Sequence, residues 1–262
     1  LWGSRGGSGV TTIACNLAHA LALLHKTVLV DLHENQGDLG LFFDQQPTYS
    51  LQDIWGYGDR IDESLVESVT LKVDGGLHLL LQAELPGAEP WSSEDFHRLM
   101  GILRSKFEYI ILDIGHDIEY AQRVISEIDN VCLVVNQTIP SLYLASRKVQ
   151  WLEEIGLDQN QIRIVINLFS SRSSVTQKHI AKTLRISDWI LIRNDERNVL
   201  SAINQGKPLL KVSRWGKAGK DIVRLAKKIS ENPIRIDTQH ADKEDALLRP
   251  LLSRQSPAEA MQ

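Results

Sequence analysis

Residues 4–12 read Ser4-Arg5-Gly6-Gly7-Ser8-Gly9-Val10-Thr11-Thr12, a spacing that suits a loop wrapped around a phosphate. The glycines let backbone N–H groups turn inward without Cβ clashes. The run that follows, Thr11-Thr12-Ile13-Ala14-Cys15-Asn16-Leu17-Ala18, is predicted to be a helix, whose positive dipole end faces the same anion. In loops of this design a lysine reaches the outer phosphates and the neighbouring hydroxyl ligates Mg2+. Thr11 keeps the hydroxyl, but Val10 stands at the lysine position and brings no charge. Glycine-rich turns also precede helices that bind nothing, so the loop by itself leaves phosphate binding and plain architecture both open.

The elements that must hold this loop follow from the pattern downstream. Strand-like runs at 27–31, 77–82, 109–113, 131–135 and 162–166 alternate with helical stretches near 11–24, 92–106, 141–155, 174–184, 196–205 and 217–230. Ser92, three residues before Asp95, resembles a helix cap. Val131-Cys132-Leu133-Val134-Val135 is apolar throughout and suits a strand covered on both faces. The alternation predicts a doubly wound, mostly parallel α/β sheet with helices on both faces and a ligand site at the carboxyl ends of the strands.

With that order in view, the chain resembles the MinD/ParA family of deviant-Walker P-loop ATPases, and within it the CpaE/TadZ branch of Tad (Flp) pilus-assembly proteins. The family loop reads KGGxGKTT. Arg5 takes the place of its signature lysine, which reaches across a dimer to the partner's nucleotide, and Val10 that of the P-loop lysine. The resemblance puts Gly6, Gly7, Ser8, Gly9, Thr11 and Thr12 in the cradle. Asp31, followed by Leu32-His33-Glu34-Asn35-Gln36-Gly37-Asp38-Leu39, is similar to the branch's acidic motif, with His33 where a water-positioning aspartate belongs. Glu108-Tyr109-Ile110-Ile111-Leu112-Asp113 resembles a Walker B strand. Thr11, Asp31 and Asp113 thereby become the implied Mg2+ residues, and Asn167, ending Ile162-Arg163-Ile164-Val165-Ile166-Asn167, the implied adenine contact. Ala202-Ile203-Asn204-Gln205-Gly206-Lys207-Pro208 matches a closing signature of the branch. The likeness spans roughly residues 1–230.

Both departures fall on groups that handle the outer phosphate. Losing a charge-assisted lysine contact costs about 1.5–3 kcal/mol, or one to two orders of magnitude in affinity at roughly 1.4 kcal/mol per decade. Arg5 offsets part of this, since guanidinium pairs well with phosphate. The imidazole of His33 lacks a carboxylate's negative charge. The expectation is therefore very slow or absent hydrolysis, with ATP and Mg2+ binding left open and no residue assigned as catalytic. Plainer roles stand beside these: Asp31 and Asp113 as caps of the next turn, His33 as a loop spacer, Asn167 as a turn residue. His116 and Asp117 read as solvated loop residues with no role.

At 262 residues, 43% of them hydrophobic, the chain can bury a full core as one α/β domain over 1–231. A polar tail at 232–262 carries at most a short helix around 246–252. Leu1-Trp2 leads straight into the loop without an initiator Met, which sets the expectation of a fragment missing most of its first strand. The resemblance implies a receiver-like domain upstream. Cys15 and Cys132 read as small buried hydrophobes of a reducing compartment. No run approaches the roughly 18 apolar residues of a membrane span, so the cytoplasm is the expected location, at a pole or at the inner face of the membrane through partners.

Net charge is −4, which gives no global drive towards nucleic acid. Residues 207–228 are the exception: Lys207, Lys211, Arg214, Lys217, Lys220, Arg224, Lys227 and Lys228 accompany a single acid, Asp221. The favoured reading is a final helix packed on the sheet with a solvated basic face. An anionic partner is the alternative, with membrane contact expected to be absent or indirect. Three functions then compete. They are a nearly inert homodimeric scaffold that places a Tad-type pilus or related secretion machine, an ATPase positioning switch, and a DNA-partition module. Regulators of flagella and of cellulose secretion share the same core.

Overall fold

A computed structural model describes residues 1–33, 38–55, 57–82, 91–186 and 188–231. Seven strands run parallel: β1 (Trp2–Gly3), β2 (Thr27–Asp31), β4 (Leu77–Leu80), β5 (Tyr109–Asp113), β6 (Val131–Asn136), β7 (Ile162–Phe169) and β8 (Trp189–Arg193). β3 (Thr70–Lys72) pairs antiparallel at one edge, on β4. The ladders order as β3-β4-β2-β5 and β1-β6-β7-β8. Backbone bonds from Leu1 N to Leu112 O (2.6 Å), Ile114 N to Leu1 O (3.2 Å) and Gly3 N to Gly115 O (2.7 Å) join β1 to the end of β5, so the two ladders meet at β1. The two residues of β1 thus hold the centre of the sheet. Towards the amino ends of β5 and β6 a cavity of about 670 Å3 opens between the strands, lined by Ile110, Leu112, Val131 and Arg163 among others.

Period-two alternation sends each strand's side chains to two cores. Val28, Val30, Leu133, Val135, Ile164 and Ile166 face one cluster, which includes Phe96 and Leu99 of α3 (Ser93–Lys106) and Leu142 of α5 (Ile139–Glu154). Leu29, Val134 and Val165 face the other, with Ile13 and Leu17 of α1 (Val10–Ala22) and Ile222 and Leu225 of α9 (Lys217–Glu231). This accounts for the unbroken apolar character of β6, since neither face meets water.

The remaining helices are α2 (Glu63–Val69), α4 (Ile118–Val124), α6 (Gln177–Leu184), α7 (Glu196–Asn204) and α8 (Leu209–Ser213). The six expected helices are present, and Ser92 accepts a hydrogen bond from Asp95 N (3.0 Å) as the cap of α3. α6 starts at Gln177, later than expected, because Thr176 caps it. The expectation of strand at 77–82 shortens to Leu77–Leu80. β3, β8, α2, α4 and α8 had no counterpart in the sequence reading. Cys15 and Cys132 are free and buried, and burial raises both thiols above their ordinary pKa, which keeps them inert. The middle of the acidic motif (34–37) and the expected tail with its short helix lie outside the described residues.

Candidate functional site

The glycine-rich loop runs from the end of β1 to the start of α1 at the carboxyl edge of the sheet. Gly7 and Gly9 have φ of +72° and +85°, the region that favours glycine, and Gly9 caps α1. A Cβ on Gly7 would meet nothing within 4 Å, so the space beside the turn at this position is open. Two asparagines paired in register at the ends of β6 and β7 tie the loop down. Asn136 donates from Nδ2 to Gly7 O (3.2 Å), and Asn167 donates from Nδ2 to Ser8 O (2.9 Å). Ser4 and Ser141 share a hydroxyl hydrogen bond (2.6 Å), and Ser4 N donates to Val134 O (2.8 Å). With these carbonyls held from below, the N–H groups opening α1 have no carbonyl ahead of them and suit an anion.

Arg5 is exposed on the turn and has no ion pair among the described residues. Val10 points the other way, 7% exposed and packed in the α1 core; its Cγ2 lies 2.7 Å from where a Cβ on Gly3 would stand. Thr12 lies in the first turn of α1 beside them.

Asp31 and Asp113 are register partners at the ends of β2 and β5, 2% and 1% exposed. Asp113 is hydrogen-bonded to the Thr11 side chain, and its Oδ1 accepts from Gly115 N (3.2 Å). The Asp31 carboxylate is held by two backbone N–H groups, His33 N to Oδ1 (3.1 Å) and a looser contact from Gln82, while its Oδ2 is buried without a hydrogen bond of normal geometry. Burial pushes both carboxyls above the usual carboxylate range, and for Asp31 the charge of Asp113 adds to this. A buried carboxylate oxygen left in this way, beside a second carboxylate and a hydroxyl, fits a cation. Among the described residues no three or more His, Cys, Asp or Glu side chains form a self-sufficient metal site.

His33 lies against the β5–α4 turn: a Cβ on Gly115 (φ +61°) would sit 2.8 Å from its Cδ2, and its ring is edge-on to His116 at 6.5 Å between centroids. His116 in turn flanks Gly6, 3.6 Å from where a Cβ would be. Of the two residues given no role from sequence, His116 therefore borders the loop, while Asp117 O accepts from Trp2 Nε1 (3.1 Å). Lys148 of α5 fixes this edge, donating from Nζ to Gly3 O (2.7 Å) and to His116 O while standing 3.9 Å over the Trp2 ring. Burial lowers its pKa to about 8.

On the far side of the loop an apolar cavity of about 390 Å3 is bordered by Gly9, Asn167, Leu168, Asn194, Asp195 and Glu196 among others. Its size is in the range that takes a small ligand. Asn194 and Asp195 escaped the sequence reading because β8, which delivers them, did; once that strand is recognised, the carboxyl-end rule finds them. Asn16 explains the 202–208 signature: its Oδ1 accepts from Leu209 N (2.6 Å), which seats the turn before α8 against α1.

This sheet, loop and carboxylate pair define a P-loop protein of the MinD/ParA type. The model of the family "Cellulose biosynthesis protein BcsQ" matches residues 1–229, and the chain belongs to that family. Septum site-determining protein MinD of Thermotoga maritima is 27% identical over 234 residues, covering 86% of this chain and 84% of its own. A ParA family ATPase from Chlorobium tepidum superposes with a TM-score of 0.79 at 26% identity, over 86% of this chain and 96% of that one. MinD from Pyrococcus horikoshii, solved in complex with Mg-ADP, shares the fold (TM-score 0.75, 18% identity, 87% and 93% coverage).

Proposed function

We propose that the protein is an atypical MinD/ParA-like scaffold that binds ATP and Mg2+, turns ATP over very slowly or not at all, and assembles or places a cellulose-secretion machine. The observation that carries this is the buried Asp31 Oδ2, without a hydrogen bond of normal geometry, at the strand end paired with Asp113, together with a glycine-rich loop whose Gly7 and Ser8 carbonyls are tied down by Asn136 and Asn167. Thr11, Asp31 and Asp113 would hold Mg2+, which when bound neutralises charge on phosphate oxygens. Residues 5–12 would wrap the phosphates, with Arg5 as their cation. Asn167, Asn194 and Asp195 would border the nucleoside. Slow turnover follows from Val10, which is committed to the core, and from His33, which brings no carboxylate to the site. A second copy closing over the loop, with Arg5 of each reaching the other's phosphates, is the arrangement we infer from the exposed Arg5. The expected location is the cytoplasm, at the inner face of the membrane through partner proteins or at a pole.

The family match favours cellulose secretion as the machine served. Service to a Tad-type pilus is the second reading, and it rests on the motifs at 31–39 and 202–208. Deleting the gene in its source organism separates the two. Lost cellulose with intact pili, restored by the wild-type gene but not by Asp31→Asn, is the expected result; lost pili with normal cellulose contradicts the reading.

A further inference from the structure

Lys148 is the cation of α5 that turns away from solvent. Its neighbour Arg147 is exposed, whereas Lys148 sends its ammonium to β1. An ammonium carries three donors and no acceptor. Here one goes to Gly3 O (2.7 Å), another to His116 O, and the remaining side rests on the face of the Trp2 ring at 3.9 Å. Trp2 is itself 1% exposed and held on two further sides: its Nε1 donates to Asp117 O (3.1 Å), and its ring meets Trp151 edge-on, with centroids 5.7 Å apart. Lys148 and Trp151 are three apart on α5, the spacing that puts both on one side of the helix. Drawing an ammonium out of water towards carbonyls and a ring is costly, and a methionine would pack on Trp2 without that cost.

The two carbonyls that receive this charge belong to the two segments that build the site. Gly3 ends β1, immediately before Ser4 opens the glycine-rich loop. His116 lies in the turn that leaves Asp113, and its ring flanks Gly6. The backbone bonds from Gly3 N to Gly115 O (2.7 Å) and from Ile114 N to Leu1 O (3.2 Å) run between the same two segments. Lys148 and Trp2 close that joint from the α5 side.

We infer that Lys148 is a positioning residue, which fixes the start of the glycine-rich loop against the turn after Asp113 and so keeps the loop N–H groups and the Asp113 carboxylate in one frame. Its consequence for ATP rests on the function proposed above; the joint itself does not. The charge of Lys148 is what makes both bonds strong, since charge-assisted hydrogen bonds are about twice as strong as neutral ones. Burial brings its pKa down to about 8, against the opposing pull of Asp117. Asp117 and the His116 imidazole, 3.6 Å apart, are the titratable groups of the turn packed on it, and Trp2 and Gly3 of β1 bring none. As pH rises through about 8 the ammonium loses its charge and the joint loosens.

The test compares wild type with Lys148→Met and Lys148→Arg by hydrogen exchange of the free protein and by calorimetric titration with ATP and Mg2+. Lys148→Met keeps the stem and drops the charge. It should speed exchange at residues 3–9 and 114–117 while β7, β8 and α9 stay protected, and weaken ATP binding about tenfold, the scale for a residue that orients binding groups without touching the ligand. Lys148→Arg, charged at any working pH, should restore most of the protection and the affinity. The advantage of wild type over Lys148→Met should shrink between about pH 7 and about pH 9, while that of Lys148→Arg persists. Exchange in Lys148→Met that is unchanged, or raised evenly across the sheet, overturns the inference, as does a loss of affinity that is the same at both pH values. A wild type that binds no ATP, with exchange in Lys148→Met still raised at these residues alone, would sink the nucleotide reading and uphold the joint.

Discussion

Asp31 and Asp113 end neighbouring strands in register, and only one of their four carboxylate oxygens, Asp31 Oδ2, is both buried and without a hydrogen bond of normal geometry. Two carboxylates this close, this dry and both with raised pKa make the free protein pay for a charge that a cation relieves. Asp31→Asn should therefore raise the stability of the free protein by about 1–3 kcal/mol while abolishing Mg2+-dependent nucleotide binding. Thermal melts with and without ATP and Mg2+ check both halves; destabilisation of the free protein would contradict the reading.

The same pair sets a pH dependence. A carboxyl whose folded pKa is raised binds its proton more tightly in the native state, so its contribution to stability falls as pH rises from the ordinary value near 3.8 through the folded value. His19 works in the opposite sense: burial, then Lys211, lowers its pKa to about 4 from 6.5, so stability falls as pH drops from 6.5 towards 4. His19→Leu should flatten the acid side of a urea-midpoint profile, and Mg2+ should lift the neutral side in wild type but not in Asp31→Asn.

Asn167 holds the loop through Ser8 O and crowds Gly9, where a Cβ would fall 2.4 Å from its Nδ2. Asn167→Ala should weaken nucleotide binding roughly tenfold, the worth of about one hydrogen bond, and speed hydrogen exchange at residues 7–9. Weaker binding with unchanged exchange would limit Asn167 to ligand contact.

Val10→Lys should raise nucleotide affinity by about ten- to a hundredfold, the scale of a charge-assisted contact, at some cost in α1 packing. Turnover should stay slow because His33 is unchanged; brisk hydrolysis from this single change would remove His33 from the position assigned to it.

Arg5→Ala should weaken ATP-dependent dimerisation more than nucleotide binding by the monomer. Sedimentation velocity alongside calorimetry separates the two, and equal loss of both would end the cross-subunit role.

The loop, the two strand-end carboxylates and the sheet that carries them were legible in the sequence because each is a local pattern: glycines before a helix, an apolar run closed by an acid. Asn136, Ser141 and Lys148 were not. Each reaches the loop through a contact more than 120 residues away in the chain, and nothing local marks them. β8 was missed because its five residues alternate between buried and half-buried between polar flanks, and with it went Asn194 and Asp195. Asp221 read as one acid on a basic surface, since only the fold brings Arg193 to it.

A calorimetric titration of the purified chain with ATP and Mg2+, paired with its solution mass, tests the central claim most directly. Micromolar binding that requires Asp31 and shifts monomer to dimer is the predicted result. No heat and no change of mass would contradict it and leave the loop as architecture alone.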